Sequence, residues 1–326
     1  MIPRPSQPVA AMALALLMIA ALAVASLFVG VLPMAIDRLA AGDAAAWLVL
    51  VESRVPRLAA LLLAGSALSI AGLLTQIVIR NRFVEPANTG AMESAGLGLL
   101  LVTLWAPGAP IIAKMAVGAV CALIGTGLFL AILRRVPLRD PLLVPLIGIL
   151  FSGVIAAATS FLAYRLDLLQ TVLAWSQGDM SGVLRGRYEL LWLGLGAAAL
   201  AWIAADRFTV AGLGRDVALS LGVAHGRWVV TGLAAVALVS AVVVVSVGMI
   251  PFLGLIVPNI VRLSLGDNMR RAVPWCALGG AGLVLVCDIL GRLLIAPYEI
   301  PLGTMMGVIG SAVFLALILR ETRHGA

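Results

Sequence analysis

Ten apolar runs follow one another along the chain, near 9–32, 55–79, 88–105, 111–133, 141–163, 189–205, 228–249, 252–265, 273–295 and 304–320, each closed by a short cluster of charge, proline or glycine. A helix that crosses a hydrocarbon core of about 30 Å needs roughly 20 apolar residues. The pattern therefore predicts an all-α membrane protein of about ten transmembrane helices, a single polytopic domain over residues 1–326. The first run is too long for the apolar core of a signal peptide and many spans follow it, so it is expected to be a retained helix.

Three places break the pattern. The eighth run is short and carries Pro258 within "GLIVPNIVRL"; proline removes a backbone hydrogen bond, so this segment is not expected to cross as one straight helix. Small residues recur four apart at Gly65 and Ser69 and at Gly303 and Gly307, a spacing that lets helices approach closely. Between the sixth and seventh runs lies "GLGRDVALSLGVAHGR". There Leu213, Val217 and Leu221 form an apolar stripe at i, i+4 and i+8, while Arg215, Asp216 and Ser220 face elsewhere. Gly222 and Gly226 are expected to end that helix, and His225 to be a solvated surface residue.

Composition sharpens the class. The chain of 326 residues is 63% hydrophobic and 11% charged, with a net charge of +7. In such a chain the arginine excess reads first as a topology signal, not as a nucleic-acid footprint. One side of the predicted bundle collects Arg4, Arg80, Arg82, Arg134, Arg135, Arg139, Arg207, Arg215, Arg227, Arg262, Arg270, Arg271, Arg320 and Arg323. The other holds Arg38, Arg54, Arg57, Lys114, Arg165, Arg185, Arg187 and Arg292. The positive-inside rule puts both termini, and the 212–227 stretch, in the cytoplasm.

No catalytic constellation emerges. Cys121, Cys276 and Cys287 lie in apolar runs without CxxC spacing, and His225 and His324 are isolated, so neither a disulfide framework nor a metal site is expected. Ser, His and Asp never combine as a triad, and there is no HExxH and no phosphate-binding glycine loop. Energy must then come from an ion gradient or from another subunit. Ion coupling calls for several charges in mid-membrane, where each is costly. The intramembrane acids are Glu93 and Asp288, a thin relay. Asp288 and Arg292, four residues apart, can pair along one helix face, and Glu93 can cap, pack or line a path.

The residues themselves carry a family resemblance. From about Glu52 to Arg320 the chain resembles the FecCD-type permeases, membrane subunits of ABC importers for iron siderophores, haem and vitamin B12. The motifs are "RVPR" at 54–57, the N-x-x-x-x-P turn from Asn81 to Pro86, L-G-x-x-x-A-x-x-L-G-V from Leu213, G-L-I-V-P ending at Pro258, the D-x-x-x-R of Asp288 and Arg292, and E-x-P-x-G from Glu299. Two positions depart from the family pattern. Asn259 stands where histidine is common, and Gly310, Ser311 and Ala312 replace a G-A-P sequence.

The resemblance implies ten helices with both ends cytoplasmic, in the type II ABC importer permease architecture of the bacterial inner membrane. It implies two ATP-binding subunits, a second permease that is the same chain or a paralogue, and a periplasmic substrate-binding protein. ATP-Mg would be held by the ATPases and no cofactor by this chain. The stretch at about 209–227 would supply the coupling helices, with Leu213, Arg215, Asp216, Val217, Ala218, Leu221 and Gly222 meeting the ATPase. Lipid is the alternative contact for that stretch. Arg54, Arg57 and Arg292 would receive acidic residues of the binding protein, since a guanidinium forks onto a carboxylate; anchoring helix ends at headgroup level is the alternative. Glu93, Asp288, Pro258 and Asn259 are candidates for the translocation path or for packing. The third-helix entrance "VEPANTGAMESAGLG" resembles the iron-siderophore branch, catecholate-type in particular. Haem or vitamin B12 is the alternative substrate, and an ion-coupled secondary transporter the alternative class.

Overall fold

The computed structural model describes residues 7–30, 41–133, 135–136, 143–186 and 188–324. Arg4, Arg38, Arg134, Arg139 and Arg187 of the charge comparison lie outside the described residues. Among the described residues the regular structure is helical: α1 (Gln7–Phe28), α2 (Ala44–Val49) running through a π turn (Leu50–Arg54) into α3 (Val55–Ile79), a 3₁₀ turn (Ala87–Thr89), α4 (Ala91–Trp105), α5 (Ile111–Leu133), α6 (Leu143–Arg165), α7 (Leu169–Ser176), α8 (Leu191–Ile203), α9 (Ala205–Gly212), α10 (Arg215–Ser220), α11 (His225–Val247), α12 (Leu253–Leu265), α13 (Met269–Leu293) and α14 (Leu302–His324). Six helices are long and apolar enough to cross a membrane. The pair α8 and α9, bent by 69°, makes a seventh candidate, and α4, α12 and the apolar part of α14 are shorter. These elements stand where the ten apolar runs predict helices.

Because these helices are apolar all round, hydropathy does not say which face turns inward. Small residues decide it. On α5 the buried positions Met115, Gly118, Ala122, Gly125 and Phe129 form one helical stripe, and α4 answers with Gly90 at its cap, Ser94 and Gly98. A Cβ on Gly98 would stand 2.8 Å from Cys121 Sγ. The centre of the bundle is α3, flanked by α13, α11, α12 and α8. It touches α13 where a Cβ on Gly65 would meet Gly280 O at 2.7 Å, and α12 where a Cβ on Gly72 would overlap the backbone of Gly254. Such contacts need bare backbone on both helices. The Gly303 and Gly307 pair behaves differently from its spacing: Gly303 packs on the backbone of Gln177, and nothing lies near Gly307 among the described residues.

The short α12 is one continuous 13-residue helix through the buried Pro258. The ring removes the hydrogen bond that Gly254 O would accept, and Gln76 Nε2 of α3 donates to that carbonyl at 3.4 Å. Protein side chains thus shield the proline break, as a nonpolar surrounding demands. Asn259 Nδ2 donates to Leu255 O at 2.7 Å and to Arg82 O at 2.8 Å. At the other end of α12, Phe252 adopts a left-handed backbone (φ 63). Its N–H donates to Glu85 Oε1 at 3.0 Å, so a buried carboxyl from the turn after α3 closes the N-terminus of α12. Apolar surroundings push that carboxyl up to about 8, the N–H donors of Phe252, Leu255 and Gly254 opposing the shift.

Candidate functional site

Two groups of residues sit at opposite ends of α3. At its first turn, Arg57 donates from Nε at 3.1 Å and Nη2 at 2.7 Å to Asp288 Oδ1, and from Nη1 at 2.8 Å to Glu299 Oε2. Arg292 bonds the second oxygen of Asp288 and also donates to Ser26 Oγ at 2.7 Å and Ser26 O at 3.0 Å. Arg54 donates to Leu27 O at 3.0 Å and to Val29 O. Arg54 and Arg292 thereby hold the last carbonyls of α1, where an orphan C=O row attracts cations. The cluster is nearly dry: Asp288 is 3% exposed, Arg292 6% and Arg54 9%.

At the opposite end, Arg80 caps α3 in the left-handed conformation (φ 58) and lies against the elbow between α9 and α10. A Cβ on Gly214 would stand 3.0 Å from Arg80 Nη1, and Gly214 itself has φ +110, so the backbone calls for glycine there. The expected apolar stripe is split by that elbow. Leu213 lies in the turn, Val217 on the six-residue α10, and Leu221 at its C-cap. All three are exposed, as is Leu219, while Ala218 is fully buried. Gly222 ends the helix with φ +74. His225 differs from its expected solvated state: partly buried, it places Nδ1 3.1 Å from Ala211 O and ties α11 to α9.

A cavity of about 810 Å³ opens beside this elbow, between the ends of α3, α9, α12 and α14. Arg80, Arg82, Arg262 and Asp267 supply its charges, Leu213 and Phe314 part of its apolar wall. Among the described residues no group of three or more His, Cys, Asp or Glu can hold a metal ion, and the three cysteines are free thiols.

The FecCD transport family model matches residues 14–320. The chain belongs to the FecCD transport family. A petrobactin import system permease protein of Bacillus subtilis is 44% identical over 275 residues, covering 84% of this chain and 87% of that protein. A vitamin B12 import system permease protein of Serratia proteamaculans is 31% identical over 311 residues, 90% and 91% of the two chains. A solved structure of a metal-chelate type ABC transporter, in an inward-facing conformation, shares the fold with a TM-score of 0.78 at 24% identity, covering 95% of this chain and 98% of that one. As a FecCD member this chain is a transport protein rather than an enzyme.

Among the positions named from sequence for this FecCD chain, the tertiary structure joins Arg57, Asp288 and Arg292 into one cluster and keeps Arg54 beside it. Glu93 stands apart, partly buried, with Oε2 lacking a hydrogen-bond partner among the described residues. Pro258 and Asn259 belong to the packing of α12 on α3 and on the turn at Arg82. Sequence reasoning missed Glu299 and Ser26 as partners of the arginines. The E-x-P-x-G motif contained Glu299, but nothing local tied it to Arg57. It also missed Glu85, whose proximity to Phe252 exists only in the fold, and Arg80, counted as a topology charge.

Proposed function

We propose that this chain is the permease subunit of an ABC importer that moves a ferric siderophore, of the catecholate type, across the bacterial inner membrane. The observation that carries the reading is the exposure of Leu213, Val217 and Leu221 in the elbow, on the short charged helix α10 and at its C-cap, outside the apolar spans. An apolar face on a helix bearing Arg215 and Asp216, without aromatic anchors, suits a groove on a cytoplasmic protein better than a lipid surface. Two ATPase subunits would press there, and ATP-Mg would be held and hydrolysed by them. A second permease, the same chain or a paralogue, would complete the path. Binding and hydrolysis would rock the pair between inward and outward states. The arginine bias supports cytoplasmic termini.

A periplasmic binding protein would deliver the substrate at the other end of α3. Arg54, Arg57 and Arg292 remain the docking residues in this reading, with unequal parts. Arg57 stands in front, because its partner Glu299 is the most open member of the cluster, with a side chain 26% exposed. Arg54 and Arg292 hold the end of α1 behind it. A carboxylate of the binding protein would compete with Glu299 for the Arg57 fork. For substrate, greater identity to a petrobactin permease than to a vitamin B12 permease supports a siderophore.

Reconstitution with the ATPase and the binding protein tests the reading. Uptake of the ferric chelate retained by the binding protein is expected to need ATP and to survive an uncoupler. Uptake without the ATPase, abolished by the uncoupler, would instead establish an ion-coupled transporter.

A further inference from the structure

We propose that the cavity at the cytoplasmic end of α3 receives an acidic side chain of the ATPase, with Arg80 as its principal ligand; this rests on the reading that the ATPase covers the α10 stripe. Arg80 is exposed, and among the described residues its side chain makes no hydrogen bond or ion pair. An arginine left without a carboxylate beside a concave, partly apolar wall is a ready ligand for one.

The balance of charge in the cavity points the same way. Among the described lining residues, Arg80 and Arg262 bring guanidinium groups and Asp267 a carboxylate. Asp267 is already engaged, since Arg262 Nε donates to its Oδ1 at 2.6 Å. Gln76 Oε1 is engaged as well, accepting from Arg262 Nη1 at 3.3 Å. Among the described residues this leaves the Arg80 guanidinium as a positive charge that Asp267 does not compensate, the complement of an acidic side chain.

The occupant is a protein because the cavity is continuous with the stripe. Leu213 both lines the cavity and stands 53% exposed next to Val217. A partner that covers Val217 and Leu221 lies over the mouth, and Gly214 leaves the Arg80 guanidinium room at the rim. The consequence concerns coupling. Arg80 is the C-cap of the 25-residue α3, a helix of about 37 Å whose first turn carries Arg57. An ATPase that grips Arg80 would act directly on the helix that holds the outer arginine cluster, and not through the elbow alone.

The test uses the full permease with its ATPase in nanodiscs of phosphatidylcholine, with and without phosphatidylglycerol. Arg80→Glu is expected to weaken ATPase association by about tenfold or more, equivalent to roughly 1.4 kcal/mol, with Arg80→Lys retaining most of it. Reversal of the matching acidic residue on the ATPase to Lys should restore binding to Arg80→Glu. Unchanged association for Arg80→Glu, while Val217→Asp abolishes it, would overturn the cavity assignment and leave the coupling reading intact. Loss of bound phosphatidylglycerol without any change in ATPase association would also overturn it, in favour of a lipid site. If the unmodified permease does not bind the ATPase at all, the coupling reading itself falls.

Discussion

Arg57 and Asp288, 231 positions apart in sequence, are joined by two hydrogen bonds from one guanidinium to one carboxylate oxygen, and Arg292 takes the other oxygen. One buried carboxylate therefore serves two arginines from two helices. Asp288→Ala leaves both cations without their shared partner, and a loss of about 3–5 kcal/mol is expected. Asp288→Asn keeps an acceptor but not the charge and should lose less. Thermal unfolding in detergent measures both, and equal stability of all three proteins would refute the arrangement.

At the turn after α3, Glu85 is neutral over a wide range because burial raises its carboxyl to about 8. Its folded value lies above that of the unfolded chain, so the folded state binds the proton more tightly. The resulting stabilisation is complete below about pH 4.5 and is lost as pH rises through 8. Glu85→Gln keeps an acceptor for Phe252 N–H and should flatten this dependence. Glu85→Ala removes the cap and is expected to cost about 1–3 kcal/mol at any pH. Unfolding midpoints between pH 5 and 9 check both variants.

On α10 the exposed and buried positions separate folding from docking. Val217→Asp and Leu221→Asp should leave thermal stability within about 0.5 kcal/mol while abolishing co-purification of the ATPase. Ala218 is fully buried, so a bulky residue there is expected to unseat the elbow itself. A loss of ATPase with a lowered unfolding temperature is the expected outcome for Ala218→Trp alone.

The approach of α3 to α12 has no room for a methyl group. Gly72→Ala would drive a Cβ into the backbone of Gly254, and overpacking of about 1–3 kcal/mol is expected. Gly307→Ala, with nothing nearby among the described residues, should be neutral within the single chain. Paired unfolding curves distinguish the two glycines.

Much of this molecule is legible in the order of its residues. Long apolar runs bounded by arginine, proline and glycine leave the chain no choice but buried or membrane-embedded helices, since isolated backbone polar groups cannot be left in an apolar medium. The positions of the helices, the amphipathic stretch ending at Gly222 and the FecCD resemblance all follow from local residue order. The outcome at Pro258 does not, because whether a proline ends or merely weakens a helix depends on what replaces the lost bond. Here Gln76, on another helix, supplies it. The spacing of Gly303 and Gly307 likewise says nothing about which of them has a neighbour.

Sequence alone determined the class, the order of the helices and the short charged helix that is open to a partner, because hydropathy and backbone chemistry act within a few residues. Tertiary structure decided which charges meet. Arg57 finds Asp288 and Glu299, Arg54 and Arg292 close the end of α1, and Glu85 caps α12. Arg80, at the far end of α3, keeps its guanidinium open among the described residues. The physical reason is that a helix apolar on every side carries no local instruction for its orientation; close packing of small residues sets the rotation, and the rotation brings distant charges together.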